Sequence, residues 1–233
     1  MDHDFVRAMV GAATRAPSVH NTQPWRFVVT GGSVQVWADR DRQLPVADPQ
    51  GRELHLSIGA AVALAETYAR GNGVGCAVRL LPGDHADHLA DLVLEGRGPA
   101  DEEEARLAAA IEVRRTDRRP FAARPVPPEA TARLTQAAER CGAWLQAVTR
   151  PDAVTAIVVA LARAEETLAA DPAYRAELAR WLARDGGEGL TEQAVAEGDP
   201  HQRASSVRLR DFRPGSPVTT AAAQPPAPEH PLV

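Results

Sequence analysis

Residues 16–27 read Ala-Pro-Ser-Val-His-Asn-Thr-Gln-Pro-Trp-Arg-Phe and hold Ser18, Asn21 and Gln23 between two prolines. A β-type run, Trp25 to Thr30, follows at once. One hydroxyl and two primary amides supply both donors and acceptors, and the prolines stiffen the loop that carries them. Such a set at the mouth of a strand suits the edge of a planar, heteroatom-rich ligand. The same residue types also build ordinary turns. From chemistry alone, a polar turn anchored by Trp25 reads equally well. His20 either faces such a ligand or braces the loop.

A second constellation is Arg114-Arg115-Thr116-Asp117-Arg118-Arg119, with four arginines in six residues. At the end of a helix these cations complement the macrodipole. Alternatively, Arg114, Thr116 and Arg118 present two guanidinium forks and a hydroxyl, a set matched to a phosphate monoester. Other candidates carry less. Ser18 has no histidine or aspartate spaced for a hydrolytic triad. Asp84, His85, Asp87 and His88 lack further ligands nearby and read as a solvated loop, so no metal is expected. Gly71-Asn72-Gly73-Val74-Gly75 follows a helix instead of a strand, which makes it a helix stop and not a dinucleotide fingerprint. Cys76 and Cys141 are isolated, without the spacing of a zinc site or a disulfide scaffold.

The elements that must position these residues follow from periodicity. Apolar residues at Phe5, Val6, Met9, Val10 and Ala13 predict a helix over 4–15. Trp25–Thr30, Gly31-Gly32 and Val34–Asp39 predict a β-hairpin. Leu54, Ile58, Ala61, Val62 and Ala65 predict a helix over 52–70, stopped by Gly71-Asn72-Gly73. Strands are expected over 76–81, 88–95 and 144–149. Four acids in a first turn open a helix at 101–104 that ends near Arg114. Pro128 starts another, to about Cys141. Two more helices, 152–170 and 172–183, divide at Pro172.

Composition bounds the answer without choosing it. The 233 residues suffice for one large domain or two small ones. Net charge is −5, which removes the global electrostatic case for nucleic acid. All 26 basic residues are arginine, so every fixed cation is a planar fork suited to phosphate. The acidic start, Met1 to Asp4, precedes no signal peptide or long apolar span, and the expected location is cytoplasmic. After Phe212 the chain turns to Pro, Ala and Thr, a linker composition.

The loop at 16–27 resembles the Pro-Ser-x-x-Asn-x-Gln-Pro-Trp motif of the nitroreductase family. With His20 it resembles the Acg-like branch, in which two nitroreductase halves are fused. Arg114-x-Thr116-x-Arg118 resembles that family's Arg-x-Ser-x-Arg/Lys motif, and Phe121 and Pro125-Val126-Pro127 continue as the family does. The resemblance implies an α+β nitroreductase-like fold, with antiparallel or mixed sheets flanked by helices. It implies FMN as cofactor and NAD(P)H as reductant. Ser18, Asn21 and Gln23 would contact the flavin, and Arg114, Thr116 and Arg118 its phosphate and ribityl chain. The reaction implied is hydride transfer through FMN to a nitroaromatic, quinone or similar acceptor, with no catalytic side chain demanded. The alternative is a flavin-binding or flavin-sequestering protein without turnover.

The two motifs stand in reverse of the family's usual order, which an internal duplication explains. Residues 113–149 echo the family N-terminus. On this reading 1–100 form one nitroreductase-like half, 101–212 a second, and 213–233 a Pro/Ala-rich tail. Residues 172–212 resemble the lid insertion of the Acg-like branch. The second half's C-terminal part is expected to be missing at Val233. Each chain is then a pseudo-dimer with one flavin site, monomeric or paired as a homodimer. Its partner is a small-molecule electron acceptor, with neither nucleic acid nor membrane involved.

Overall fold

Helix α1, His3–Ala13, starts where the Asp2 carboxylate accepts from the backbone N–H groups of Asp4 and Phe5, at 3.1 and 3.2 Å. These bonds satisfy two of the donors that every helix start leaves open. The bond from Phe5 chiefly holds the Asp2 carboxyl below its ordinary range. The helix buries Val6, Met9, Ala12 and Ala13 along one face.

The computed structural model describes residues 2–116, 124–182 and 187–190. It divides into two compact units, Met1–Asp117 with Ala176–Thr191, and Arg118–Arg175 with Glu192–Val233. The first unit contains an antiparallel four-stranded sheet in the order β1-β2-β4-β3. Its strands are β1 Trp25–Thr30, β2 Ser33–Ala38, β3 Val74–Leu80 and β4 His88–Arg97. The expected hairpin is present. Phe27 pairs with Val36 and Val29 with Val34, and Gly31 turns the chain at a φ of 56°. Along β2 burial alternates: Val34, Val36 and Ala38 lie in the core, as a half-covered sheet requires.

Helix α2, Arg52–Gly71, covers that face with Leu54, Ile58, Ala61, Val62, Ala65 and Ala69. Its start is held by Asp48, whose Oδ2 accepts from Leu54 N at 2.9 Å. The expected stop at Gly71 is found. Helix α3, Glu102–Val113, lies against the end of α2 inside the first unit. A Cβ on Gly71 would sit 2.4 Å from the Ala108 Cβ and 2.6 Å from the Glu104 carbonyl oxygen. Only glycine permits that approach.

The second unit contains α4, Pro128–Arg140, and α5, Pro151–Ala170, neither with a fully buried residue. Helix α6, Pro172–Trp181, begins after the expected break. The chain is thus α+β, as the sequence implied. One expected element is missing. Among the described residues, 144–149 hold only a single β-bridge position, Val148, and form no strand; Trp144 is 83% exposed. A β-rich composition makes a strand only where another edge offers ladder hydrogen bonds, and none of the four named strands does so here. The tail at 213–233 lies outside the described residues.

Candidate functional site

The motif loop is a short, strained turn. Val19–Asn21 form one 3-10 turn, closed by Asn21 N–H donating to Ser18 O and Thr22 N–H to Val19 O, both at 3.0 Å. His20, Asn21 and Gln23 hold left-handed φ values of 51°, 54° and 50°. For residues with a Cβ this conformation costs on the order of 1–2 kcal/mol each, and such strain gathers at functional sites. The Ser18 hydroxyl accepts from Gln23 N at 3.0 Å and so bridges the loop. Pro24 is fully buried and Trp25 is buried in the core. Asp39 N–H donates to Pro24 O at 3.0 Å, tying the loop's exit to the end of β2. His20 is only 5% exposed, which puts its ring in the protein and not at the open surface. A cavity of about 10 Å³, lined in part by Val19, Thr22, Arg42 and Asp48, lies beneath the loop. It holds no more than about one water.

The two amides reach a distant part of the chain. Asn21 Nδ2 donates to Gly187 O at 2.9 Å and to Gly189 O at 3.1 Å. Gln23 Nε2 donates to Gly187 O at 3.0 Å, and Gly189 N–H donates to Asn21 O at 3.1 Å. Arg42 supports both sides: its Nη1 donates to Thr22 O at 3.0 Å and its Nη2 to Glu188 Oε1 at 2.8 Å. The Glu188 bond is the main reason the Arg42 pKa is raised above its ordinary value. Nearby, the buried Glu177 carboxylate accepts from Val46 N and Ala47 N, both at 2.9 Å. Leu190 is buried and its N–H donates to Trp181 O at 2.7 Å. The described part of the lid-like stretch within this unit, 176–182 with 187–190, is therefore held at two places: Glu177 on Val46 and Ala47, and residues 187–190 on the motif loop. The remainder of 172–212 up to Arg175 belongs to the second unit, and 183–186 and 191–212 lie outside the described residues.

Of the arginine constellation, Arg114 is brought to the loop's entry. It caps the end of α3, and its Nη2 donates to Arg15 O, three residues before Ser18. Arg15 returns the clasp, with Nη2 3.0 Å from Glu112 Oε2. The Arg114 Nε is buried without a hydrogen-bond partner among the described residues. A buried guanidinium N–H with nothing to bond invites an anion. Thr116 is exposed two residues further on, and Arg118 lies outside the described residues. The Arg114 Nε–H thus suits an anionic group, while the Asn21 and Gln23 amides that would suit a polar planar edge bond the carbonyls of Gly187 and Gly189. Asp84 and His85 are exposed, but His88 is not simply solvated: it stacks on Trp37 at 4.4 Å and bonds Asp91 Oδ1 at 2.8 Å.

Arg42, Glu177 and Glu188 were missed in the sequence. The Arg42–Glu188 and Glu177–Val46 bonds each join residues more than a hundred positions apart, and the local signal was the Asp39-Arg40-Asp41-Arg42 charge run.

The first unit is thus an α+β body that carries a strained polar loop, with Arg114 bonded to Arg15 O at the loop's entry. No family model matches the chain. A protein of Mycobacterium tuberculosis (strain ATCC 25618 / H37Rv), "Putative NAD(P)H nitroreductase Rv3131", is 39% identical over 202 residues, 85% of this chain and 57% of that protein. "Putative NAD(P)H nitroreductase acg" of the same strain is 36% identical over 123 residues, 52% of this chain and 37% of that protein. "Uncharacterized protein Rv3127" is 33% identical over 178 residues, 72% and 50% of the two chains. The chain belongs to the nitroreductase family over the stretch it shares with these relatives. It spans 57% of the length of the first of them.

Proposed function

We propose that this chain is an FMN-dependent oxidoreductase of the nitroreductase type, reduced by NAD(P)H and working in the cytoplasm on a small-molecule acceptor such as a nitroaromatic or quinone. The observation that supports it most is the strained loop carrying Ser18, Asn21 and Gln23, whose entry at Arg15 is bonded by Arg114, an arginine with an unpartnered Nε–H. The names of the relatives supply the reductant class. FMN, if bound, would supply the hydride chemistry between NAD(P)H and the acceptor.

The chain's own residues bind and orient. Asn21 and Gln23 give the amide donors for the flavin's polar edge. Ser18 keeps the loop closed through Gln23 N and retains its hydroxyl proton for donation. Arg114, with Thr116 and Arg118, takes the phosphate, and Arg114 fixes its own position by bonding Arg15 O. No side-chain acid or base is assigned. The fused-half reading accompanies this proposal: the loop comes from one half, the arginines from the other, and one flavin serves each chain.

A second reading, a flavin-holding protein without turnover, draws support from the docking of 187–190 against Asn21 and Gln23. One experiment separates the two. The protein is loaded with FMN, NADPH is added without oxygen, and the visible spectrum is followed. Bleaching, then reoxidation by a nitroarene, is the expected result. A yellow protein that resists reduction favours holding, and a protein that takes up no FMN defeats both.

A further inference from the structure

In chain order, residues 187–190 present to the loop an acceptor, a donor and an acceptor. Gly187 O takes Asn21 Nδ2 and Gln23 Nε2, Gly189 N–H gives to Asn21 O, and Gly189 O takes Asn21 Nδ2. That is the pattern of a cyclic imide, C=O, N–H, C=O, which is the edge of a flavin's pyrimidine ring. The strap is built to hold this shape. Gly187 and Gly189 adopt φ of 83° and 75°, which L side chains rarely accept. Glu188 between them is pinned by Arg42, and Leu190 is buried beyond.

We infer that the loop is a receptor for an acceptor–donor–acceptor imide edge, and that the chain's own Gly187–Leu190 strap occupies it as an internal competitor. The inference rests on the flavin reading for the identity of the incoming ligand. It adds that flavin enters only as the strap leaves, because both Asn21 amide hydrogens and one of Gln23 are already given to the strap's carbonyls. Asn21 already shares its donors between two carbonyls. The measured affinity for flavin is then the intrinsic affinity reduced by the fraction of molecules with the strap released. Arg42 is a positioning residue here. It grips Thr22 O on the loop and Glu188 on the strap, so the Glu188 bond sets how readily the strap lets go.

The full chain is titrated with FMN and with FMN methylated at N3, using quenching of flavin fluorescence. Two strap variants are compared with the parent. Glu188→Ala breaks the ion pair with Arg42, and Gly189→Pro removes the N–H and demands a negative φ. FMN is expected to bind about threefold more tightly to Glu188→Ala, the worth of one partly exposed ion pair. Gly189→Pro is expected to gain about tenfold, because four hydrogen bonds go with the strap. N3-methyl FMN should bind at least about tenfold more weakly than FMN to all three proteins, since it lacks the central donor. Thermal melting curves verify that each variant is folded. Unchanged or weaker FMN binding by two folded variants overturns the competition. Equal binding of FMN and its N3-methyl derivative overturns the imide edge. If no protein binds FMN at all, the flavin reading falls, and the competition with it.

Discussion

The guanidinium of Arg114 divides its donors, one to Arg15 O and one, Nε, to no partner among the described residues. If that free donor serves a phosphate, its loss must be felt by FMN and not by riboflavin. Hydrogen bonds to charged groups contribute about 1.5–3 kcal/mol. Arg114→Ala should therefore raise the FMN Kd by about tenfold or more while riboflavin changes by less than about threefold, as read by fluorescence titration. An equal loss for both ligands would mean that Arg114 only braces the loop. A different residue-scale expectation concerns the thiols. Burial pushes Cys76 up to about 11, while Cys141 is exposed. A thiol reagent at pH 8 should modify one cysteine in the native chain and two after unfolding. Because the folded pKa lies above the unfolded value of about 8.5, the stability that Cys76 contributes is full below that pH. It is lost as pH rises through about 11, and urea midpoints measured across this window should fall.

Between elements, the α2–α3 approach and the docking of the strap are the contacts that shape the site. Gly71→Ala drives a methyl into Ala108 and the Glu104 carbonyl, and overpacking of this kind costs about 1–3 kcal/mol. Gly59→Ala lies in the same helix with nothing within 4 Å of the new Cβ. It should stabilise the chain by about 0.5–1 kcal/mol through helix propensity. Opposite shifts of Tm in the two variants are the expected outcome, and a shared direction would refute the close packing. At the strap, Glu177→Ala orphans the N–H groups of Val46 and Ala47. The expected loss is about 2 kcal/mol, seen as faster proteolysis at 187–190 and a lower Tm.

Most elements were legible because their signals are local. Phe5, Val6, Met9 and Ala13 repeat at the helical period, and Gly31-Gly32 marks a hairpin between two β-type runs. The run 144–149 has strand-like side chains in Trp144, Leu145 and Val148, yet it joins none of the four named strands and only Val148 bridges. The loop itself was readable, but its occupant was not. Asn21 and Gly187 are 166 residues apart, and no pattern in either segment names the other.

For the whole molecule, the fused-half proposal makes a countable statement. One equivalent of FMN should saturate each chain in an absorbance titration after gel filtration, and a ratio near two would sink it. By itself the sequence determined the α+β class, the helix and strand order of the first unit, and a loop whose residue types suit a flat polar ligand, since all of these depend on neighbours along the chain. It also carried the likeness to nitroreductases that the relatives bear out. Only the tertiary structure decided that Asn21 and Gln23 already hold the carbonyl of Gly187, that Arg42 links loop to strap, and that Arg114 reaches Arg15. Side-chain hydrogen bonds between remote segments exist only once packing has brought those segments within about 3 Å of each other.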